Sequence, residues 1–321
     1  MKKLIITGGS GFIGTNMVAF YLEKGVEILN LDIAKPLNKK HEPYWKKCNI
    51  NNAVETKKLF LEFEPTHIMH LAAGTGMNVS DINHFKTNFD GVKSLINVCN
   101  DSDTIEKVVF TSSLLVCERS YVPVHDEDFK PDCLYGESKV LSEKMVRESN
   151  INADWAIVRP TAVWGPWFRS SYTTFFNLVK RGLYINPGKE RLLKPATYVG
   201  NTIYMMDEIL FSDATNKNVY YLADYPEYSI QEWSDSIAKY VGKKNPYSFP
   251  RLFVDGIAKI GDILKYTHLI SDPPLTTFRL KNIISGVKYD LNKTSLVVGK
   301  LPYSLDDGVG FTIDWMNYIK K

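Results

Sequence analysis

The stretch Lys3-Leu4-Ile5-Ile6-Thr7-Gly8-Gly9-Ser10-Gly11-Phe12-Ile13-Gly14 narrows the choice of folds more than any other in this 321-residue chain. A short apolar strand runs into a turn with glycines at Gly8, Gly11 and Gly14, and helical periodicity follows from Phe12 to about Lys24. Gly8 lets the chain turn sharply off the strand, Gly11 removes a side chain where backbone must approach a pyrophosphate, and Gly14 lets the helix pack closely on the sheet. The backbone N–H groups around Phe12, Ile13 and Gly14, with the helix dipole behind them, then face an anion. A second apolar run, Val26 to Leu31, ends at Asp32, about twenty residues beyond the loop, as a dinucleotide site requires. A carboxylate there accepts hydrogen bonds from a ribose and repels a 2′-phosphate, which favours NAD over NADP. A tight turn with no ligand would account for the glycines alone, but not for strand, loop, helix, strand and terminal acid together.

The units that follow keep the same rhythm. A helical pattern at Ala53 to Phe63 precedes a strand at Thr66 to Ala73, whose last residues, Leu71, Ala72 and Ala73, are small or apolar and leave room for a ligand. Helices at about Asn83–Asn100 and Leu134–Ser149 then alternate with strands at Glu106–Thr111 and Asp154–Arg159. This alternation predicts an α/β fold: a doubly wound parallel sheet, or Rossmann fold, with right-handed crossovers. Beyond Pro160 the rhythm breaks. A helix near Tyr172–Arg181, a strand and helix around Thr197–Phe211 and a late strand at Val219–Ala223 returning to the sheet are expected. Helical patterns near Ile230–Val241, Phe253–Tyr266, Leu275–Ile284 and Leu305–Ile319 predict a smaller, mostly helical C-terminal lobe. The expected division is an NAD-binding domain of residues 1–165 plus about 196–224, and a substrate-binding lobe of residues 166–195 and 225–321. The default active site is the cleft at the strands' carboxyl ends.

Thirty-nine basic against 36 acidic side chains leave a net charge of +3, too small and too scattered to predict a nucleic-acid or membrane partner. Met1-Lys2-Lys3 runs straight into the first strand, and no apolar run approaches the length of a membrane span, so a cytoplasmic protein is expected. The four cysteines, Cys48, Cys99, Cys117 and Cys133, are far apart and read as reduced thiols. His67 and His70 form the closest histidine pair, but three residues apart on a strand they face opposite ways, so no metal site is expected.

Three hydroxyls, Thr111, Ser112 and Ser113, follow the strand Val108-Val109-Phe110. About a score of residues on, Tyr135-Gly136-Glu137-Ser138-Lys139 places a phenol and an ammonium one turn apart on a helical face. A lysine cation beside the tyrosine, with the positive ring of an oxidised nicotinamide, should lower the phenol's pKa toward working pH. The phenolate then takes a proton from a substrate hydroxyl held by Ser113 while a hydride leaves the same carbon, and Lys139 also binds the nicotinamide ribose. The same spacing recurs at Tyr240/Lys244 and Tyr289/Lys293, where no hydroxyl-bearing strand end precedes it.

Together, Thr7-Gly8-x-x-Gly11-x-x-Gly14, Leu71-Ala72-Ala73, Thr111-Ser112-Ser113, Tyr135-x-x-x-Lys139 and Arg159-Pro160-Thr161-x-Val163-x-Gly165-Pro166 resemble the extended short-chain dehydrogenase/reductase family. More narrowly they resemble its NAD-dependent epimerase/dehydratase branch, which acts largely on nucleotide-diphosphate sugars. The resemblance implies a homodimer with catalytic Ser113, Tyr135 and Lys139. It implies an NAD whose adenine end meets Asp32, Asn49 and Ile50 and whose nicotinamide lies near Thr111, Tyr135, Lys139, Pro160 and Val163. Thr161, Arg191, Lys194 and Arg279 become candidates for substrate binding, the cations for a diphosphate. Asn88 matches an asparagine that such proteins place behind the site, and Trp164, Trp167 and Phe168 are candidates to stack on a base or sugar. Some positions depart from the pattern. Asn49 stands for a common aspartate, Cys117 for a tyrosine and Ala162 for an asparagine. Leu114-Leu115 replaces the Asp-Glu pair of the 4,6-dehydratases, which argues against elimination. An epimerase is the favoured reading, with a keto-sugar reductase, a hydroxysteroid-type dehydrogenase and a non-catalytic NAD-sensing protein left open.

Overall fold

Successive apolar residues along the first strand divide between two cores. In the computed structural model, which describes residues 2–76, 79–118, 121–168, 171–271, 273–284 and 289–319, strand β1 (Lys3–Thr7) sends Leu4 and Ile6 into one core and Ile5 into the other. This is the alternation of a strand buried on both faces. Helix α1 (Phe12–Glu23) and strand β2 (Glu27–Asp32) complete the first unit. Then come β3 (Trp45–Lys47), α2 (Ala53–Phe63), β4 (His67–His70), α3 (Lys86–Asn100), β5 (Lys107–Thr111), α4 (Leu134–Glu148) and β6 (Asp154–Pro160). After β7 (Ala162–Trp164), α5 (Ser171–Lys180), β8 (Asn186–Pro187), β9 (Ala196–Tyr198), α6 (Val199–Phe211) and β10 (Asn218–Leu222), the chain turns largely helical. Its last elements are α7 (Ile230–Tyr240), β11 (Ser248–Phe249), α8 (Arg251–Tyr266), α9 (Thr277–Ile284), α10 (Asn292–Val298) and α11 (Leu305–Tyr318).

Seven parallel strands form one sheet in the order β10-β6-β5-β4-β1-β2-β3. Helices α1 and α6 cover one face, where Met17, Tyr21, Ile203 and Met206 pack over Leu4, Ile6, Met69 and Val109. Helices α2, α3 and α4 cover the other, with Phe60, Leu95 and Val146 over Ile5, Ile68 and Val108. The fold is a doubly wound Rossmann fold with a helical C-terminal region, as the sequence predicts. Its strand order reverses between β1 and β4, and that crevice is where such sheets bind ligands.

Two local differences from the sequence reading have physical causes. The strand expected over Thr66 to Ala73 stops at His70, because Ala72 lies against Gly8 and Gly74 is held by the Asn88 amide. Helix α10 is not expected from its sequence, since Thr294, Val297 and Val298 are β-branched and favour strands. Tertiary contacts override that preference: Val298 is buried, and Thr294 Oγ1 donates to the Tyr221 carbonyl at 2.7 Å.

The aromatic turn after Pro160 belongs to the packing. Trp164 is fully buried against Phe176, Tyr198 and Trp233, with its Nε1–H on Tyr228 Oη at 2.6 Å. Phe168 is buried against Phe12, Phe176 and Trp315, and Trp167 lies 5.8 Å from the Trp315 ring. Trp164 and Phe168 are thus enclosed on all sides by protein and are not stacking platforms.

In α4, Gly136 sits where a Cβ would lie 2.1 Å from the Leu115 carbonyl oxygen, so the helix carrying Tyr135 touches the turn carrying Ser113 through bare backbone. Gly136→Ala is expected to destabilise the protein by about 1–3 kcal/mol through overpacking, read as a lower urea midpoint at unchanged slope.

Candidate active site

The cradle is built by backbone contact. Gly8 has φ +75°, and a Cβ there would lie 2.6 Å from Ala72 N, while a Cβ on Gly14 would lie 2.3 Å from Gly8 O. No side chain caps α1 at Gly11, so the first-turn N–H groups at Phe12, Ile13 and Gly14 lack intrahelical partners. A Cβ on Gly11 would meet one protein atom within 4 Å, Gly8 O at 3.3 Å; the space beyond it is not filled by protein. Asp32 lies alongside, accepting the Ser10 N–H at 3.0 Å and the Ala34 N–H at 2.9 Å. Partial burial raises its pKa and those two N–H groups pull the other way. Uncapped helix start, open space at Gly11 and adjacent carboxylate fit a dinucleotide: α1 would hold the pyrophosphate and Asp32 a ribose. Of the expected adenine contacts, Ile50 is buried in the core and Asn49 is exposed, its side chain accepting the Asn51 N–H at 3.1 Å.

At the end of β5, the Ser113 hydroxyl accepts the Leu115 N–H at 3.2 Å and lies close enough to the Tyr135 phenol to favour its ionisation. Lys139, four residues on in α4, is buried and donates from Nζ to the Thr111 carbonyl at 2.8 Å. Its ammonium lies 5.9 Å from the Tyr135 ring centroid. Burial pushes the Tyr135 phenol up to about 12, with the Ser113 hydroxyl opposing. Burial lowers Lys139 to about 8, with the Glu143 charge opposing. In the protein alone, desolvation outweighs any help from a lysine directed at Thr111, so the lowering expected from the sequence would rest on the positive nicotinamide ring as well.

Behind Lys139 lies a buried polar cluster that sequence reasoning missed. Glu143 accepts two bonds from Arg159, Nε at 2.8 Å and Nη2 at 2.7 Å, both residues being almost wholly buried. Arg159 Nη1 also donates to Tyr221 Oη at 2.8 Å. His70 shares a 2.7 Å hydrogen bond with Thr7 Oγ1. His70, Thr111, Ser112, Lys139, Ser142 and Glu143 line a small cavity, into which the buried Thr111 and Ser112 hydroxyls bring no protein partner. A signal was available for Glu143, which falls on the same helical face as Lys139 one turn later. None was available for His70, because strand period alone does not mark which face meets the site.

The remaining candidates are scattered. Asn88 is buried, its Oδ1 accepting the Gly74 N–H at 2.7 Å and its Nδ2 donating to Ser138 Oγ at 2.8 Å; it clasps α3, α4 and the loop after β4. Thr161 donates both its N–H and its hydroxyl to the Leu222 carbonyl, each at 2.9 Å. Pro160 ends β6, and Val163 lies in β7 opposite Thr197. Arg191 pairs with Glu232 at 3.2 Å on the surface. Arg279 donates to the Pro273 carbonyl, and the Lys194 N–H to the Tyr228 carbonyl at 3.1 Å. The other two Y-x-x-x-K pairs have different occupations: Tyr240 binds Asp314, Tyr289 stacks on Tyr221, and Lys293 pairs with Asp126. Among the described residues, no His, Cys, Asp or Glu cluster could hold a metal ion.

With fold and site in view, residues 4–220 match the NAD dependent epimerase/dehydratase family, and the chain belongs to it. NAD is the cofactor of that family. UDP-glucuronate 4-epimerase 3 of Arabidopsis thaliana is 29% identical over 197 residues, 54% of this chain and 45% of that protein. The chain thus spans about half the length of the plant epimerases it matches. Sterol-4-alpha-carboxylate 3-dehydrogenase, decarboxylating, of Candida albicans is 24% identical over 99% of this chain and 98% of its own. Among solved structures, the Thermus thermophilus UDP-glucose 4-epimerase complex with NAD superposes with a TM-score of 0.70 at 21% identity, covering 98% of this chain and 99% of that one.

Burial and the Lys139 charge hold His70 at a pKa of about 3, against 6.5 for the free side chain. The unfolded chain therefore takes up this proton first. The stability His70 contributes is complete above pH 6.5 and lost toward pH 3, at about 1.4 kcal/mol per pH unit. His70→Gln should be less stable at pH 7.5 yet show a shallower acid slope between pH 6.5 and 4.5. Urea melts at both pH values read this out, and equal slopes in the two proteins would refute it.

Proposed function

We propose that this chain is an NAD-dependent hydride-transfer enzyme acting on a nucleotide-diphosphate sugar, as an epimerase. The observation that carries the chemistry is the grouping of the Ser113 hydroxyl, the Tyr135 phenol and the buried Lys139 ammonium, 5.9 Å from the Tyr135 ring. Ser113 holds a carbon-bound hydroxyl of the substrate, and Tyr135 takes its proton. NAD would supply a hydride acceptor for the same carbon and a positive ring charge near the phenol. Lys139, a cation below its pKa of about 8, favours the phenolate once its ammonium is drawn from the Thr111 carbonyl toward the phenol and a ribose. In the return step, Tyr135 gives the proton back as the hydride reaches the opposite face of the ketone. Leu114-Leu115 offers no acid and base for elimination, which speaks against a dehydratase.

The plant UDP-glucuronate epimerases support the sugar-nucleotide substrate. In this reading residues 1–165 with about 196–224 form the cofactor domain, and residues 166–195 and 225–321 the substrate lobe. Arg191, Lys194 and Arg279 are its diphosphate candidates, and a cytoplasmic homodimer is the working form. A hydroxysteroid-type dehydrogenase is the second reading, favoured by the end-to-end match to the sterol dehydrogenase.

Tyr135→Phe should lower turnover by about 10²–10⁴-fold, the usual worth of a general acid–base, while NAD affinity by fluorescence titration stays near wild type; unchanged turnover would remove Tyr135 from the mechanism. An epimerase should carry NAD or NADH through gel filtration and be stabilised in thermal shift by some members of a sugar-nucleotide panel. Stabilisation by 3β-hydroxysteroids alone, with NAD consumed stoichiometrically, would establish the second reading instead.

A further inference from the structure

Helix α8 is amphipathic with its large apolar side chains turned outward. Its inner face is small: Val254, Ala258 and Gly261 are its buried residues, and they pack toward Leu275 and Leu280. A Cβ on Gly261 would lie 1.8 Å from the Leu275 carbonyl oxygen, so only the glycine side of the helix can face inward and the helix cannot roll over. Its outer face therefore carries Leu252 at 85% exposure, Phe253 at 55%, Ile260 at 57% and Ile263 at 61%. Tyr266, Leu269 and Phe278, each at 60% exposure or more, extend the surface. An apolar surface this continuous marks an interaction site.

Charge indicates the partner. Lys243, Lys244, Arg251, Lys259, Lys265 and Lys281 are exposed, whereas the described acids from 243 to 281 are two, Asp255 and Asp262, both partly covered. Asp255 lies 4.0 Å from Arg251, and Asp262 accepts the Thr277 N–H at the start of α9. The net charge of +3 over the whole chain conceals this local excess. A second copy docking here about a two-fold axis would oppose like charges. An anionic bilayer offers both apolar depth and complementary sign.

We propose that the outer face of α8 seats the protein on anionic phospholipid membranes as a peripheral amphipathic anchor. The helix has 16 residues, short of the roughly 20 that a bilayer crossing needs, and no described helix is long and apolar enough to span. It lies in the interface with Leu252, Ile260 and Ile263 among the acyl chains and Lys259, which flanks them, at the headgroups. The proposal does not depend on the substrate or the reaction.

Co-sedimentation of the full chain with mixed phosphatidylglycerol–phosphatidylcholine vesicles tests it. Binding should fall at least ~10-fold on pure phosphatidylcholine and weaken steadily with salt. Ile260→Asp/Ile263→Asp should lose binding by a similar factor, and Lys259→Gln should lose part of the salt-sensitive binding, both with wild-type circular dichroism and melting. Leu252→Glu provides a second apolar variant at an exposed position. Wild-type protein left in the supernatant, or variants that bind undiminished, would overturn the proposal. So would sedimentation showing a self-association that Ile260→Asp/Ile263→Asp abolishes, since the face would then belong to a second copy.

Discussion

Backbone packed on backbone at Gly8 is the constraint from which the site is built. Gly8 leaves no room for a side chain against Ala72, and Gly14 leaves none against Gly8, so β1, α1 and the end of β4 are locked at the closest approach that polypeptide allows. The restraint passes onward through hydrogen bonds. Gly74, just past Ala72, is held by Asn88; Asn88 reaches Ser138; and the Ser138 hydroxyl donates to the Tyr135 carbonyl at 2.7 Å. The cradle and the phenol are thus indexed to one another without a ligand, which is the preorganisation that hydride transfer between two bound molecules requires.

The second constraint is electrostatic. Lys139, Glu143 and Arg159 are all buried, and placing ions out of water costs several kcal/mol each unless they are paired. Glu143 is paired bidentately by Arg159, leaving Lys139 as the cation whose charge is least compensated, with a carbonyl for a partner. Its pKa of about 8 follows from that imbalance. Removing the Glu143 charge would lower it further, so Glu143 helps keep Lys139 protonated. Neutral His70 on the far side of the cavity adds no positive charge, which limits the repulsion Lys139 must bear.

Much of this was legible in the sequence because it is local. The glycine spacing, the strand alternation and the i,i+4 relation of Tyr135 and Lys139 are each set within one element or one turn, and each appears where expected. What was illegible depends on elements meeting. The phenol's raised pKa comes from how deeply α4 is covered, which no spacing records. The pair of Glu143 and Arg159 joins a helix to a strand sixteen residues later, and in the sequence Arg159 is only the end of the Asp154–Arg159 strand and the first residue of a family motif. Trp164 and Phe168 looked like ligand platforms because aromatics beside a turn suit a pocket as well as a core; α5, α7 and α11 fill the space around them.

The same distinction separates chemistry from substrate. Ser113, Tyr135 and Lys139 fall within residues 4–220, the span that matches the family, and the roles proposed for them would serve a dehydrogenase of sterols as well as an epimerase of sugar nucleotides. Selectivity must come from elsewhere. Arg191 and Arg279 already have protein partners, Glu232 and the Pro273 carbonyl, so a diphosphate would have to displace contacts on α7 and before α9 rather than enter a ready-made cationic pocket. A sterol would make no such demand, since it carries no phosphate charge to neutralise. If these two guanidinium groups are to hold a diphosphate as proposed, the cost of releasing them weighs against a sugar nucleotide and not against a sterol, and that cost falls on segments far from the glycine loop in sequence.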